Sequence, residues 1–198
     1  SAIDSAAIGA RRFEARYGLI GKPAVVRFRM LDRGHYLAGF SDMSVPVAQF
    51  AAKSPGVKRV FITENEVNGL AFPDKQDSMV VFGGGYGVER LAEVAWLRDK
   101  EVIYWGDIDT HGFAILDRLR ASVPHARSLL MDEATLLEHR LMWGCEDEDK
   151  RFTGELARLG LKERALFDVL RHDVHGSRIR LEQERLAYGW VSDAVAGA

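Results

Sequence analysis

Apolar and polar residues alternate along Val25–Leu31, with Val26, Phe28 and Met30 on one face and Arg27 and Arg29 on the other. That period of two predicts a half-buried strand. Its arginines form either a solvated strand face or a path for a DNA backbone. Four more apolar, β-rich runs follow: Val60–Thr63, Ser78–Phe82, Glu101–Trp105 and Ala126–Met131. Helical spacing falls between and after them. It predicts helices over Asp4–Tyr17, stopped by Gly18 and by Gly21–Pro23, and over Ser44–Ala52, opened by a capping serine. Further helices are predicted after Glu66 and over Tyr86–Leu97, the latter with Val88, Leu91, Val94 and Ala95 inward. Phe113–Leu119, Asp132–Leu141, Leu161–Val169 and Leu181–Tyr188 complete the set, and the small-residue tail after Trp190 is expected to fray. The order strand, helix, strand, helix predicts an α/β fold. Its sheet is expected to be mostly parallel, with right-handed crossovers and a helical C-terminal part.

Two of the apolar runs end in acids. Val102–Trp105 leads through Gly106 to Asp107 and Asp109, and Val60–Thr63 leads to Glu64 and Glu66. Side chains alternate along a strand, so Asp107 and Asp109 point the same way. Two carboxylates that close repel, whereas Mg²⁺ is held by one or two such groups. The plainer explanation is a pair of strand-end aspartates capping a helix at Thr110. In open parallel sheets, ligands bind beyond the carboxyl ends of the strands. Neighbouring strands would therefore bring both acidic ends to one edge. Gly83, Gly84 and Gly85 offer backbone amides to a phosphate, or simply make a tight strand-to-helix turn. They do not form the G-x-x-x-x-G-K-[ST] phosphate loop, so ATP hydrolysis is not expected.

A glutamate after one strand and D-x-D after a later one resembles the Toprim domain of topoisomerases, primases and related nucleases. The strings FITENEVNGLAFP (61–73), VVFGGGYG (80–87), YWGDIDTHGFAILDRLR (104–120) and RLEQERL (180–186) narrow this. With RRFEARYGLIGKPAVVRFRMLD (11–32) and SDMSVPVAQFA (41–51), they resemble the C-terminal domain of the JetD subunit of Wadjet plasmid-defence systems, a relative of the topoisomerase VI A subunit. The resemblance covers nearly the whole chain.

The resemblance implies an arm with the first strand and helix over 1–55 and a Toprim catalytic domain with C-terminal helices over 56–198. It implies a DNA endonuclease that cuts plasmid DNA with metal-activated water. Glu64, Asp107 and Asp109 would be both the catalytic residues and the metal ligands, with Mg²⁺ as the cofactor and Mn²⁺ able to substitute. Glu64 either ligates the metal or moves a proton. Glu66, His111 and Glu184 are accessory candidates. Gly84, Gly85, Arg178 and Arg180 are candidates for contact with DNA phosphates. Implied partners are DNA, SMC-like complex subunits and a second copy of the chain, together with a DNA-binding region upstream of this part. Topoisomerase VI relatives cut through a tyrosine on a separate domain, and Tyr17, Tyr36, Tyr86, Tyr104 and Tyr188 match no such motif.

Composition changes this picture little. The 198 residues fit one domain with an arm, and an apolar fraction of 47% suffices for one core. A net charge of −2 does not announce a nucleic-acid binder, although an acidic metal site masks part of any basic path. Cys145 is the only cysteine, so no intrachain disulfide forms, which fits a reducing compartment; a cytoplasmic location is expected. No apolar run approaches ~20 residues, so no membrane span is expected. The pattern of a signal peptide is not visible either. His172 and His175 lack the cysteines of a zinc set, and Glu146–Asp149 reads as a solvated acidic loop or helix start. Arg171, Arg178, Arg180 and Arg185 either contact phosphates or pair with Asp173, Glu182 and Glu184. Two other functions fit the acids: a non-catalytic DNA-binding or dimerisation module with a structural cation, and a haloacid-dehalogenase-type phosphatase. The second wants D-x-D-x-[TV], and His111 stands at its last position.

Overall fold

The computed structural model describes residues 23–83 and 87–198. The helix predicted over Asp4–Tyr17 and the glycines Gly84 and Gly85 lie outside the described residues. Six strands form one mixed sheet: β1 (Val25–Met30), β2 (Asp42–Pro46), β3 (Arg59–Thr63), β4 (Ser78–Phe82), β5 (Glu101–Trp105) and β6 (Arg127–Ser128). Their spatial order is β2-β1-β4-β3-β5-β6. Strands β4, β3, β5 and β6 run parallel, while β1 is antiparallel to both β2 and β4. The mostly parallel α/β architecture expected from the apolar runs is therefore observed. Strands β1 and β2 join the same sheet as the strands beyond residue 56.

Burial explains the two kinds of strand pattern. The central strands β3, β4 and β5 are covered on both faces, and Val60, Phe61, Ile62, Met79, Val80, Val102, Ile103 and Tyr104 are all fully buried. Strand β1 keeps its alternation, with Val26, Phe28 and Met30 in the core. Its arginine face is not bare. Arg27 pairs with Asp42 and Glu66, and Arg29 donates to Leu70 O, Phe72 O and Asp74. These partners belong to helix α2 (Glu66–Leu70), the turn after it and strand β2.

The remaining helices are α1 (Val47–Ala52), α3 (Gly87–Leu91), α4 (Thr110–Ser122), α5 (Glu133–Glu138), α6 (Leu161–Arg171) and α7 (Tyr188–Gly197). Helix α4 buries Phe113, Ala114, Ile115, Leu116 and Leu119, and meets α6 through Phe113 and Phe167. Arg120 of α4 forks onto Glu163 of α6, with one arm at 2.9 Å.

Three expected helices are corrected. Ser44 lies in β2, where Met43 and Val45 pair with Phe28 and Val26, so helix α1 starts only after Pro46. The helix expected over Tyr86–Leu97 gives way to a 3-10 turn at Ala95–Asp99. That turn buries Trp96 and Leu97 and exposes Ala95, and the Trp96 indole donates to Phe50 O at 2.8 Å. The helix expected over Leu181–Tyr188 is absent, because Leu181 exchanges main-chain hydrogen bonds with Ile108 at 2.9 and 3.1 Å. Strand β7 (Gly144–Cys145) pairs with β8 (Ile179–Arg180) just before it. The tail is not frayed. Helix α7 buries Val191 and Val195, and Lys75 donates to the carbonyls of Val195 and Ala196 at its C-terminus. No helix among the described residues is long and apolar enough to cross a membrane.

Candidate metal centre

Strands β3 and β5 are parallel neighbours, with Thr63 opposite Trp105 at their carboxyl ends. The next residues of each chain segment, Glu64 and Gly106–Asp109, therefore share one edge of the sheet. Gly106 makes their approach feasible: a Cβ there would collide with the Glu64 carboxylate and the Tyr104 hydroxyl. Gly112 likewise admits Asp107 O against the first turn of α4.

The D-I-D segment stays extended beyond β5 because Ile108 bridges to Leu181. Ile108 points into the core, and both aspartates point to the opposite side. Glu64, Asp107, Asp109, His111 and Arg180 line one cavity of about 210 Å³, together with Glu146, Asp147 and Lys150.

Each aspartate has one oxygen engaged in structure. Asp109 Oδ1 caps α4 by accepting from Gly112 N at 2.7 Å, so the helix-capping explanation holds for that atom. Asp107 Oδ1 accepts from Gln183 N at 3.0 Å. The other oxygens face Arg180, which reaches Asp107 Oδ2 at 2.7 Å and Asp109 Oδ2 at 3.3 Å. Glu64 accepts from the buried Tyr104 hydroxyl.

Crowding of buried negative charge shapes the acidities. Burial, then the charge of Asp107, pushes Glu64 up to about 8, even though the Tyr104 hydrogen bond favours its ionised form. Burial also pushes Asp109 up to about 7, against the Gly112 amide and with Glu146 and Asp107 adding to the rise. His111 is held below its ordinary value by burial and by the charge of Arg118, so its ring is neutral at pH 7.

The acidic run that reads as a solvated loop contributes a buried residue. Glu146 follows β7 and is only 2% exposed. Its Oε1 accepts from Thr110 Oγ1 at 2.7 Å and from His111 N at 3.1 Å, at the N-terminus of α4. Its Oε2 is buried without a hydrogen-bond partner among the described residues. Nothing local in Gly144–Asp149 marks Glu146 out from its exposed neighbours.

Besides Arg180, the RLEQE string contributes its glutamine to the site. Gln183 is 1% exposed. Its side chain accepts from Asn65 N at 3.1 Å and donates to Trp105 O at 2.6 Å, tying together the ends of β3 and β5. Glu184 is exposed and accepts from the Asn65 side chain, outside the cavity. A signal for Gln183 was present: Ile179, Leu181 and Gln183 alternate with half-exposed Arg180 and Glu182, a strand period rather than a helical one.

Other candidates lie apart. Glu66 opens helix α2 instead of continuing β3, and it lines an adjoining cavity of about 260 Å³ with Arg27, Arg90 and Gly83. Glu64 borders both cavities. Gly83 packs tightly, since a Cβ there would sit 2.9 Å from Thr63 O. Arg178 lies outside the cavity lining, with its guanidinium 3.7 Å from Glu148 and its main-chain N–H donating to Asp173 Oδ1 at 2.6 Å. Arg171 pairs with Glu155 and Asp168, and Arg185 with Glu182.

Among the described residues, the group of three His, Cys, Asp or Glu side chains whose ligand atoms all lie within 4.8 Å of one another is Asp32, His35 and Asp77. There the Lys58 ammonium already neutralises Asp77, at 2.7 Å. The carboxylates of the cavity stand wider, with Arg180 bonded to two of them.

These features define an α/β domain whose parallel strands deliver several carboxylates to one cavity. The chain belongs to the family described as Wadjet protein JetD, C-terminal, whose model matches residues 18–195. No curated protein matches it.

Proposed function

We propose that the chain is the catalytic Toprim domain of a metal-dependent DNA endonuclease acting in a Wadjet defence system. One observation carries the reading: Glu64, Asp107, Asp109 and Glu146 converge on one cavity at the carboxyl edge of the sheet, and Glu146 Oε2 is buried without a hydrogen-bond partner among the described residues. With Asp147 at the rim, five carboxylates face one guanidinium and the ammonium of Lys150. An all-oxygen, strongly acidic donor set suits Mg²⁺, with Mn²⁺ as a substitute. Such a cation supplies charge neutralisation and an activated water for phosphodiester hydrolysis.

The chain's own residues have distinct parts. Asp107 and Asp109 offer their Oδ2 atoms, and Glu146 offers Oε2. Glu64, held by Tyr104, is either a further ligand or the group that carries a proton at the reacting phosphate. Gln183 and Gly106 set the spacing of the two strand ends. Family membership supports work beside other Wadjet subunits on plasmid DNA, and the resemblance to the topoisomerase VI A subunit favours pairing with a second copy.

A non-catalytic module is favoured by one fact: Asp107 Oδ1 and Asp109 Oδ1 already serve structure. Replacing both residues with asparagine separates the readings, because the amide oxygens retain those duties. Supercoiled plasmid would be incubated with the full-length protein, its Wadjet partner subunits and Mg²⁺ or Mn²⁺. Cleavage lost in Asp107→Asn/Asp109→Asn, with DNA binding and thermal stability kept, supports the nuclease. Cleavage at the parental rate overturns it.

A further inference from the structure

We infer that Arg180 is a displaceable counter-cation, which holds Asp107 and Asp109 together until a divalent cation takes their oxygens and Glu182 receives the released guanidinium. The inference rests on the metal reading above and adds a residue that controls it.

The geometry leaves little choice of oxygen. With both Oδ1 atoms already accepting from Gln183 N and Gly112 N, the Oδ2 atoms are the ones that a cation would take. Arg180 occupies those same atoms: its Nε and Nη2 lie 3.2 and 2.7 Å from Asp107 Oδ2, and Nε lies 3.3 Å from Asp109 Oδ2. A guanidinium and a divalent cation cannot share them, since like charges at contact repel strongly in a partly buried site.

Arg180 has somewhere to go. Glu182 is two residues along the same extended segment, and its Oε1 is already 3.3 Å from Arg180 Nη2. Its Oε2 is held separately by Arg185 at 2.8 Å, which fixes the carboxylate without consuming Oε1. The backbone need not move. Arg180 is paired to Gly144, and Leu181 is bonded to Ile108, so the change is confined to a side chain that is 28% exposed. The arrangement keeps the acid pair compensated before metal arrives, and it makes metal affinity the difference between two cations rather than the strength of one.

Calorimetric titration of Mn²⁺ into the full-length protein, Arg180→Gln and Glu182→Gln tests this without any cleavage assay. Arg180→Gln is expected to bind Mn²⁺ about tenfold more tightly, equivalent to ~1.4 kcal/mol. The same variant should melt at a lower temperature than the parent in chelator. Glu182→Gln is expected to bind several-fold more weakly, because the guanidinium loses its second partner. Equal or weaker binding by Arg180→Gln, where the parent binds, overturns the inference and leaves the metal site standing. Should Arg180→Gln fail to fold, unchanged or tighter binding by Glu182→Gln overturns it instead. If neither the parent nor any variant binds Mn²⁺, the metal reading itself falls and takes this inference with it.

Discussion

The main-chain amide of Gln183 donates to Asp107 Oδ1 at 3.0 Å across 76 residues of sequence, while its side chain spans the ends of β3 and β5. The acids at the sheet edge are therefore set by a residue that carries no charge. Removing that side chain takes a hydrogen bond each from the buried Trp105 carbonyl and the partly buried Asn65 amide.

Gln183→Leu is expected to cost ~1–3 kcal/mol of stability, the range for orphaned buried polar groups. Glu184→Gln, at an exposed neighbour, should stay within ~0.5 kcal/mol of the parent. Denaturant unfolding of both variants provides the check. The reverse ranking would show that the string acts through its glutamate.

Gly106→Ala should disturb the site directly, since the added methyl meets the Glu64 carboxylate and the Tyr104 hydroxyl. Overpacking of this kind costs ~1–3 kcal/mol. Gly189→Ala in α7 meets no atom within 4 Å and should be neutral or stabilising, by up to ~1 kcal/mol. Thermal unfolding compares the two, and equal midpoints would mean that Gly106 has room to spare.

Glu146 joins two roles that substitution can part. Glu146→Ala strands the Thr110 hydroxyl and the His111 amide and should lose ~1–3 kcal/mol. Glu146→Gln keeps an acceptor for both donors and removes a buried charge, so the metal-free fold should hold. Its affinity for Mn²⁺, measured by calorimetry, should fall at least several-fold. Parental affinity in Glu146→Gln would remove this residue from the metal site.

The raised pKa values of Glu64, about 8, and Asp109, about 7, give a pH dependence of definite sign. An acid whose value is higher folded than unfolded binds its proton more tightly in the folded state. Stability then declines as pH rises from the unfolded values, 4.5 and 3.8, through the folded ones. Metal ligation needs the ionised carboxylates, so a cation should stabilise most at the upper end of that window. Melting in chelator and in Mn²⁺, at pH about 5.5 and about 8, is expected to show a larger metal-induced rise at pH 8. Glu64→Gln should flatten the decline seen in chelator. An equal metal effect at both pH values would contradict the assigned shifts.

Much of this molecule can be read directly from its chain. The apolar runs of β3, β4 and β5 and the alternation of β1 are local patterns, imposed by the two-residue period of a strand and by burial on one face or both. Glu64, Asp107 and Asp109 stand out for the same reason, being acids at the ends of apolar runs. Local patterning fails where pairing partners are distant. Ser44 resembles a helix cap until β2 pairs with β1, and Ile179–Gln183 resembles a helix until Leu181 meets Ile108.

The sequence by itself determined the apolar runs that become β1, β3, β4 and β5 and the acids that end two of them, because each of these follows from spacing within about ten residues. Only the tertiary structure decided what surrounds them. Arg180 reaches Asp107 across 73 positions, Gln183 joins strand ends 118 and 78 positions away, and Glu146 crosses 36 to the head of α4. No spacing rule links such residues. Hydrogen bonds and burial select them only once the core has brought the segments together, and until then Glu146 is one acid among several in Glu146–Asp149.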